Sequence, residues 1–484
     1  MSFVSIPFLI LACATFVCYY VAYKIVPQYQ WMVLLVASVV FYMFASPVMA
    51  IYLAGTIVLT WFCAIALKHF RDNLKLKKLI LACCLVLNIG TLAAVKYAGF
   101  AAEIFAVSVS FKLIVSLGIS FYTFSSTAYC VDVYRGDIEP EKNILRYALF
   151  ISYFPHISQG PIECYSNLAP QLFTPHEFDL DNLKSGTTRA LLGLFKKIII
   201  ANNLCRFVDS IYKNPEEFSG LVLAFASVMY TLQIYFDFAG YMDIACGVSE
   251  CMGIKLTENF RTPYFATSVS DFWHRWHMSL NVFFTRYLYI PLGGSRKGSV
   301  RTFLNTLIVF AVSGLWHGAD WSFVVWGLYH GFFVALSRPL DEIYGEVRNR
   351  LHIDEKSKVW ALFRIIRTFT IVTIGWIFFR ADSISQAILI LKRIATKNFY
   401  FGWSWGLVNP KFDVFFWVCM GLELIFMLIL ERVEYNQRLG EWLRTIKVAP
   451  RWGIIYALLL PVVYVLLFSN VQESAAGNFI YFNF

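Results

Sequence analysis

"IVPQYQWMVLLVASVVFYMFASPVMAIYLAGTIVLTWFCAIAL", residues 25–67, contains no charged side chain. A helix that crosses the ~30 Å hydrocarbon core of a bilayer needs only ~20 predominantly apolar residues, so this run has room for two spans. The rest of the chain agrees. Hydrophobic residues make up 58% of the 484 and charged residues 15%, and the mean hydropathy is +0.60. A water-facing surface of this size needs far more charge. A transmembrane barrel would show short segments of alternating polarity, and none is visible. The chain therefore reads as an all-α polytopic integral membrane protein.

Eleven apolar stretches are long enough to span: 4–23, 31–45, 48–67, 79–98, 107–130, 219–236, 303–319, 321–337, 360–379, 413–430 and 452–469. The segments 143–162, 187–204 and 264–292 are apolar but broken by Pro, Gly or charge. They suit re-entrant or interfacial helices, which survive at membrane depth where protein or water surrounds them. The N-terminal stretch lacks the basic start of a cleavable signal peptide and is expected to stay as the first span. "KHFRDNLKLKK" (68–78) is strongly cationic and, by the positive-inside rule, cytoplasmic. Three spans precede it, which places the N-terminus outside. Residues 293–301, 338–358 and 431–451 read as cytoplasmic in the same way, and the closing "NFIYFNF" as outer. The stretch 383–397 carries Lys392, Arg393 and Lys397 on a side expected to be external, and is read as an amphipathic interfacial helix. No repeat or soluble domain interrupts the pattern, so residues 1–484 are expected to form one membrane-embedded domain.

The net charge of +10 fits basic cytoplasmic loops, and no basic soluble domain exists to carry nucleic acid. The eleven cysteines lie mostly within apolar runs with no CxxC pair, where they behave as small hydrophobes.

Ionisable groups inside spans are costly, and so mark function by default. They are densest in "YTLQIYFDFAGYMDIACGVSECMGIKLTENFRTPYFATSVSDFWHRWHMSLN" (230–281), which holds Gln233, Tyr235, Asp237, Asp243, Glu250, Glu258 and Asn259. For Asp237 and Asp243 an internal network that orients broken helices weighs as much as direct chemistry. His274 and His277 lie three apart and share a helix face. With His317 they could offer three nitrogens to zinc. However, "HRWH" lacks the glutamate of a metalloprotease helix and no ligating carboxylate is placed nearby, so no metal is expected. A general base suits His277 and His317 better. Burial beside Trp276 or Trp316 keeps an imidazole neutral and able to take a proton from a hydroxyl. No GxSxG elbow or other nucleophile signature accompanies them. From a cytoplasmic loop at 293–301, a helix starting near Arg301 reaches His317 after ~24 Å of a ~30 Å core, within reach of the outer face. "YLYIPLGGSRKGSVR" (287–301) could cradle phosphates but reads better as a cationic turn. His156, in the Pro/Gly break "FPHISQGPIE" (154–163), reads as structural.

"QIYFDFAGYMDIA", "ENFRTPYFATSVSDFWHRWHMSL", "YLYIPLGGSRKG", "SGLWHGADWSFVVWGLYHG" and "FIYFNF" together resemble the membrane-bound O-acyltransferase family, nearest to the branch that acetylates bacterial polysaccharides such as alginate. The likeness is dense over 120–340 and thin in residues 1–119 and 341–484, which would supply flanking helices. It implies a ring of helices around a central funnel open to the outside and a tunnel from the cytoplasm. His317 matches the family's catalytic base, and His277 its second required histidine. His274 inherits no role, and His330, in "WGLYHG", inherits a structural or tunnel-lining one. Trp273, Trp276, Trp316, Tyr235, Asp237 and Asn259 are the candidate tunnel residues.

The resemblance further implies an O-acetyltransferase of the bacterial cytoplasmic (inner) membrane. It would take acetyl from a cytoplasmic thioester, acetyl-CoA, and pass it to a separate SGNH-type protein at the outer face that modifies a polysaccharide. The enzymatic alternative is D-alanyl transfer to teichoic acid from a carrier-protein thioester. From other classes, an ion-coupled transporter would use Asp237 and Asp243, and an inactive scaffold would only dock a partner.

Overall fold

The structure is a computed structural model describing residues 2–45, 47–104, 118–158, 160–350, 352–354, 356–396, 412–436 and 439–468. The closing motif at 479–484 and the first part of the expected span 107–130 lie outside the described residues. Helices run through the chain in the order α1 (Ile6–Ile25), α2 (Gln30–Ala45), α3 (Pro47–His69), α4 (Leu74–Ile104) and α5 (Ile119–Arg135). Next come α6 (Ile144–Ser152), α7 (Phe154–Ile157), α8 (Tyr165–Phe173), α9 (Leu180–Leu194), α10 (Asn202–Tyr212) and α11 (Gly220–Cys251). The remainder are α12 (Val269–Arg275), α13 (Met278–Phe284), α14 (Ser299–His317), α15 (Trp321–Arg350), α16 (Lys358–Arg380), α17 (Ile384–Thr396), α18 (Val414–Asn436), α19 (Leu439–Thr445) and α20 (Val448–Phe468). Among the described residues there is no strand, and a single isolated bridge pairs Phe260 with Trp276.

Nine of the described helices are long and apolar enough to cross a membrane, with a shorter apolar run at Trp321–Ser337. Where they are described, all eleven expected stretches fall on helices to within two residues at their ends. α15 continues to Arg350 past its apolar run, and α5, described from Ile119, buries Thr123, Ser125, Ser126 and Thr127. Outer faces are apolar yet exposed, as at Ile10 and Val17 on α1 and Leu422, Ile425 and Ile429 on α18. That is the pattern of side chains that face lipid. By contrast α11 is mostly buried along its length.

Two compact units divide the chain. The first comprises residues 1–193 and 241–258. Here α9 meets the final turns of α11 so closely that a Cβ at Gly186 would lie 2.5 Å from the Gly247 carbonyl oxygen. Arg189 on α9 donates to both oxygens of Glu258, at 2.8 and 2.5 Å, and to Asp243 at 3.2 Å. Glu163, fully buried, accepts from the Thr257 amide at 2.6 Å and from Asn167 at 3.0 Å. The expected break within 143–162 is present: α6 stops at Ser152, and the short α7 starts at Phe154 with Pro155 in its first turn. His156 in that turn is buried with Nε2 3.0 Å from the Phe150 carbonyl, a backbone-holding role that matches its structural reading.

The second unit comprises residues 194–240 and 259–484. The segment 187–204 is not interrupted: α9 runs through a buried π-helical stretch, Phe195–Ala201, directly into α10. π-bulges of this kind recur at functional sites. The hairpin of α14 and α15 packs backbone against backbone. A Cβ at Gly314 would strike the Phe323 carbonyl and one at Gly327 the Phe310 carbonyl, so small residues permit the approach. At 383–397 the structure places α17, the amphipathic segment foreseen there.

Candidate active site

His277 occupies a turn that the neighbouring sequence forces into an unusual shape. Ser268 caps α12 by accepting from the Asp271 amide at 3.1 Å, and the helix ends when Trp276 becomes extended. Residues 259–261 and 275–278 then pair as a short ladder. The Arg261 amide donates to the Arg275 carbonyl and the Met278 amide to the Asn259 carbonyl, each at 3.0 Å. His277, between these bonds, takes φ 47° and ψ 53°. A left-handed conformation costs a non-glycine residue about 1 kcal/mol or more, and such strain is held where the surroundings over-determine it. Asn259 supplies much of that determination, because its Oδ1 also accepts from the Ser279 amide at 2.9 Å and so caps α13. Asn259 thus holds the backbone on both sides of His277.

The imidazole of His277 is buried, its ring edge-on to Phe238 at 4.8 Å and 6.1 Å from Trp316. Neither ring nitrogen has a hydrogen-bond partner among the described residues. Against the same Trp316 stands His317, the last residue of α14, with ring centroids 4.7 Å apart. It packs edge-on against Trp326 at 4.9 Å and Phe379 at 5.2 Å. α14 stops here because Gly318 leaves the helix where any Cβ would enter the Phe323 ring, and the Asp320 carboxylate accepts from the Ser322 amide at 2.7 Å to start α15. The strand-like turn and the helical hairpin, forty residues apart in sequence, thus deliver two histidines to one indole.

A third histidine extends the cluster. His330, one turn after Trp326 on α15, is fully buried against Trp326 (5.4 Å), Trp273 (5.1 Å) and Trp376 (6.0 Å). Gly375 lies directly against its Nε2, where a Cβ would clash. Trp326 stacks on Trp376 at 5.7 Å, and Trp376 reaches Trp276 at 5.0 Å. Among the described residues, both nitrogens of His330 and the indole N–H groups of Trp273, Trp326 and Trp376 lack hydrogen-bond partners, as do the nitrogens of His277. Each unpaired buried polar group costs about 1–3 kcal/mol, and native cores tolerate few of them. So many in one aromatic cluster is the signature of a site that takes a polar guest. A neutral imidazole offers that guest one donor and one acceptor.

Asp237, Asp243, Glu258 and Glu431 are each held by a cationic side chain. Asp237 forms a buried ion pair with Lys197 of the π-helical stretch. Lys196 pairs with Glu431 at 2.9 Å, and the Tyr235 hydroxyl donates to the same carboxylate at 2.7 Å. Tyr235 in turn packs on Trp276 at 6.2 Å, which connects the ion pair to the aromatic wall. Asp243 and Glu258 are committed to Arg189 in the first unit.

His274 stands apart from the cluster. It is exposed, bonded to the Ser270 carbonyl at 2.7 Å, and lines an open cleft of about 630 Å³ with Ser268, Asp271, Ser337, Asp341 and Glu342. Burial works against the charge of Arg275 beside it, and the Asp271 carboxylate at 2.7 Å more than offsets that, raising the guanidinium pKa. Three carboxylates make this cleft a poor seat for phosphates. In "PLGGSRKG" the glycines take positive φ (Gly293 108°, Gly294 55°), and Asn305 and Arg301 donate to carbonyls of the same turn. That is a built turn, as the spacing suggested.

His277, His317, His330, Trp273, Trp276, Trp316 and Tyr235 therefore fall in one cluster and Asn259 supports it, whereas His274 does not. Residues that sequence reasoning missed are Lys196, Lys197, Glu431, Trp326, Trp376 and Phe379. The paired lysines in "GLFKKIIIANN" carried the signal, because charge within an apolar run demands a buried partner.

Comparison with known proteins adds an independent view. The family model for the MBOAT, membrane-bound O-acyltransferase family matches residues 141–380, a span that contains all three clustered histidines. The chain is 35% identical over 375 residues to a probable alginate O-acetylase of Pseudomonas putida, covering 74% of this chain and 73% of that one. It is 33% identical over 409 residues to a peptidoglycan O-acetyltransferase of Helicobacter pylori, covering 78% and 76%. A teichoic acid D-alanyltransferase of Bacillus subtilis is 30% identical over 281 residues, covering 55% and 69%.

Proposed function

The chain belongs to the membrane-bound O-acyltransferase family, and from that premise we propose that it takes acetyl from cytoplasmic acetyl-CoA for O-acetylation of an extracytoplasmic polysaccharide. It is a multi-pass membrane enzyme, an O-acyltransferase. In the proposed reaction the thioester enters the aromatic cluster by a tunnel from the cytoplasm, and the acceptor hydroxyl comes from the outside. His317 takes the proton as the hydroxyl oxygen attacks the thioester carbonyl. The tetrahedral intermediate collapses, the C–S bond breaks, and the proton held by His317 leaves with the thiol. His277 donates to the carbonyl oxygen as charge develops there. Trp273, Trp276 and Trp316 keep the thioester from water.

The acceptor is a hydroxyl of a separate SGNH-type protein at the outer face, which then acetylates the polymer. The enzyme sits in the bacterial inner membrane with its N-terminus outside, and residues 1–484 act as one acyltransferase domain. The supporting observation is the pair of buried histidines packed on Trp316, with the nitrogens of His277 left without a partner among the described residues. The test supplies membranes with labelled acetyl-CoA in one arm and a D-alanyl-charged carrier protein in the other. Label entering polymer from acetyl-CoA alone supports the reading. Label entering only from the carrier overturns it in favour of D-alanyl transfer, the activity named for the B. subtilis relative.

A further inference from the structure

Far from these histidines in sequence, α3, α4 and α5 of the first unit each direct one cysteine to a common point. Cys63, Cys84 and Cys130 are all buried, and their three sulfurs lie within 4.8 Å of one another. The Cys84 and Cys130 sulfurs are 3.8 Å apart. Among the described residues no other set of three His, Cys, Asp or Glu side chains converges in this way. Buried cysteines are ordinarily small hydrophobes that scatter through a core. Three sulfurs within 4.8 Å of one another, one from each of three helices, form a donor set.

The geometry matches a thiophilic ion. Sulfurs held at ~2.3 Å from a metal sit about 3.8 Å apart in a tetrahedral site and about 4.0 Å apart in a trigonal one. The observed separations need only small rotations of the side chains to close on that value. Thiolate donors select soft d10 ions, Cu(I) and Zn(II) before others. Ligand count then decides between them. Cysteine binds metal as the thiolate, and three sulfurs complete a trigonal Cu(I) site, each cysteine giving up its proton as it binds. Zn(II) requires a fourth ligand, and the Thr60 carbonyl near Cys130 already accepts the Cys130 thiol at 3.5 Å. The surrounding shell is polar and ordered: Thr60 Oγ1 is 2.8 Å from the Tyr147 hydroxyl, and Asn88, one turn from Cys84, donates to Ser126 at 3.0 Å.

We propose that Cys63, Cys84 and Cys130 form a buried three-sulfur site for a monovalent soft cation of the Cu(I) class, which ties α3, α4 and α5 together. The experiment uses the full-length protein in detergent micelles, reduced, loaded with Cu(I), Ag(I) or Zn(II) in separate arms, and washed with glutathione to strip ions from exposed cysteines such as Cys13 and Cys18. Metal content is measured for wild type, Cys63→Ser, Cys84→Ser, Cys130→Ser and the control Cys13→Ser/Cys18→Ser. The expected result is about one Cu(I) or Ag(I) per chain in wild type and control, falling at least fivefold in each single variant that still elutes as a folded protein. X-ray absorption of the copper-loaded wild type, which needs no variant, is expected to show three sulfur neighbours at ~2.3 Å. A nitrogen or oxygen shell, two-coordinate copper, or equal metal in wild type and folded variants would overturn the site. Retention of zinc but not of copper or silver overturns the monovalent assignment. A native Cys84–Cys130 disulfide in protein isolated without reductant overturns it as well.

Discussion

Replacing Lys197 by Met removes one half of a pair in which the lysine and aspartate side chains are only 2% and 3% exposed. The Asp237 carboxylate would then stand in the protein interior without its cation. Removing one partner of a buried ion pair costs about 3–5 kcal/mol, because the remaining charge has neither water nor a counter-charge. That corresponds to a roughly hundred- to several-thousand-fold shift in the unfolding equilibrium. The π-helical stretch should suffer first, since Lys197 lies within it and Lys196 beside it holds Glu431. The reciprocal change, Asp237→Leu, strands the ammonium and should cost a similar amount. Removing both, as Lys197→Met/Asp237→Leu, abolishes the unpaired charge and should recover most of the loss. Thermal and denaturant unfolding of the four proteins in micelles gives the cycle. A coupling of about 3 kcal/mol is expected, and one below about 1 kcal/mol, the size of a surface pair, would refute the claim that this pair is desolvated.

Three further outcomes follow from the same geometry. Because His277 has φ 47°, His277→Gly should be more stable than His277→Ala by about 1 kcal/mol in the same unfolding assay while both lose activity. Asn259→Ala removes the cap on Ser279 and should cost about 1 kcal/mol of stability. It should also lower kcat more than it raises KM, as expected if the residue positions His277 without binding substrate. Gly327→Ala should separate α14 from α15, since its Cβ would meet the Phe310 carbonyl. A loss of folded protein of about 1–3 kcal/mol is expected, and unchanged thermal unfolding would count against that contact.

The membrane class and the helices were legible because apolar length is a local property. A run without charge from 25 to 67 can be read without any partner. His277 and His317 were legible for a related reason, since each sits beside a tryptophan in an otherwise apolar context. What could not be read depends on pairs distant along the chain. Lys196 gains its meaning from Glu431, and Cys63, Cys84 and Cys130 gain theirs from one another. No spacing rule connects cysteines on three separate helices, which is why the absence of a CxxC pair gave no hint of a donor set. The left-handed turn at His277 was hidden as well. The sequence places His274 and His277 on one helical face, whereas the helix ends between them and sends His274 to an exposed cleft and His277 to the core.

The central claim is that His317 takes the proton from the acceptor hydroxyl, and its most direct test is label transfer in membranes holding equal amounts of wild-type and His317→Ala protein. With radiolabelled acetyl-CoA supplied from the cytoplasmic side, a positioned general base contributes about 10²–10⁴-fold, so acetylation should fall by at least a hundredfold in the variant. The variant should still fractionate as a folded membrane protein. Acetylation at the wild-type rate would contradict the account.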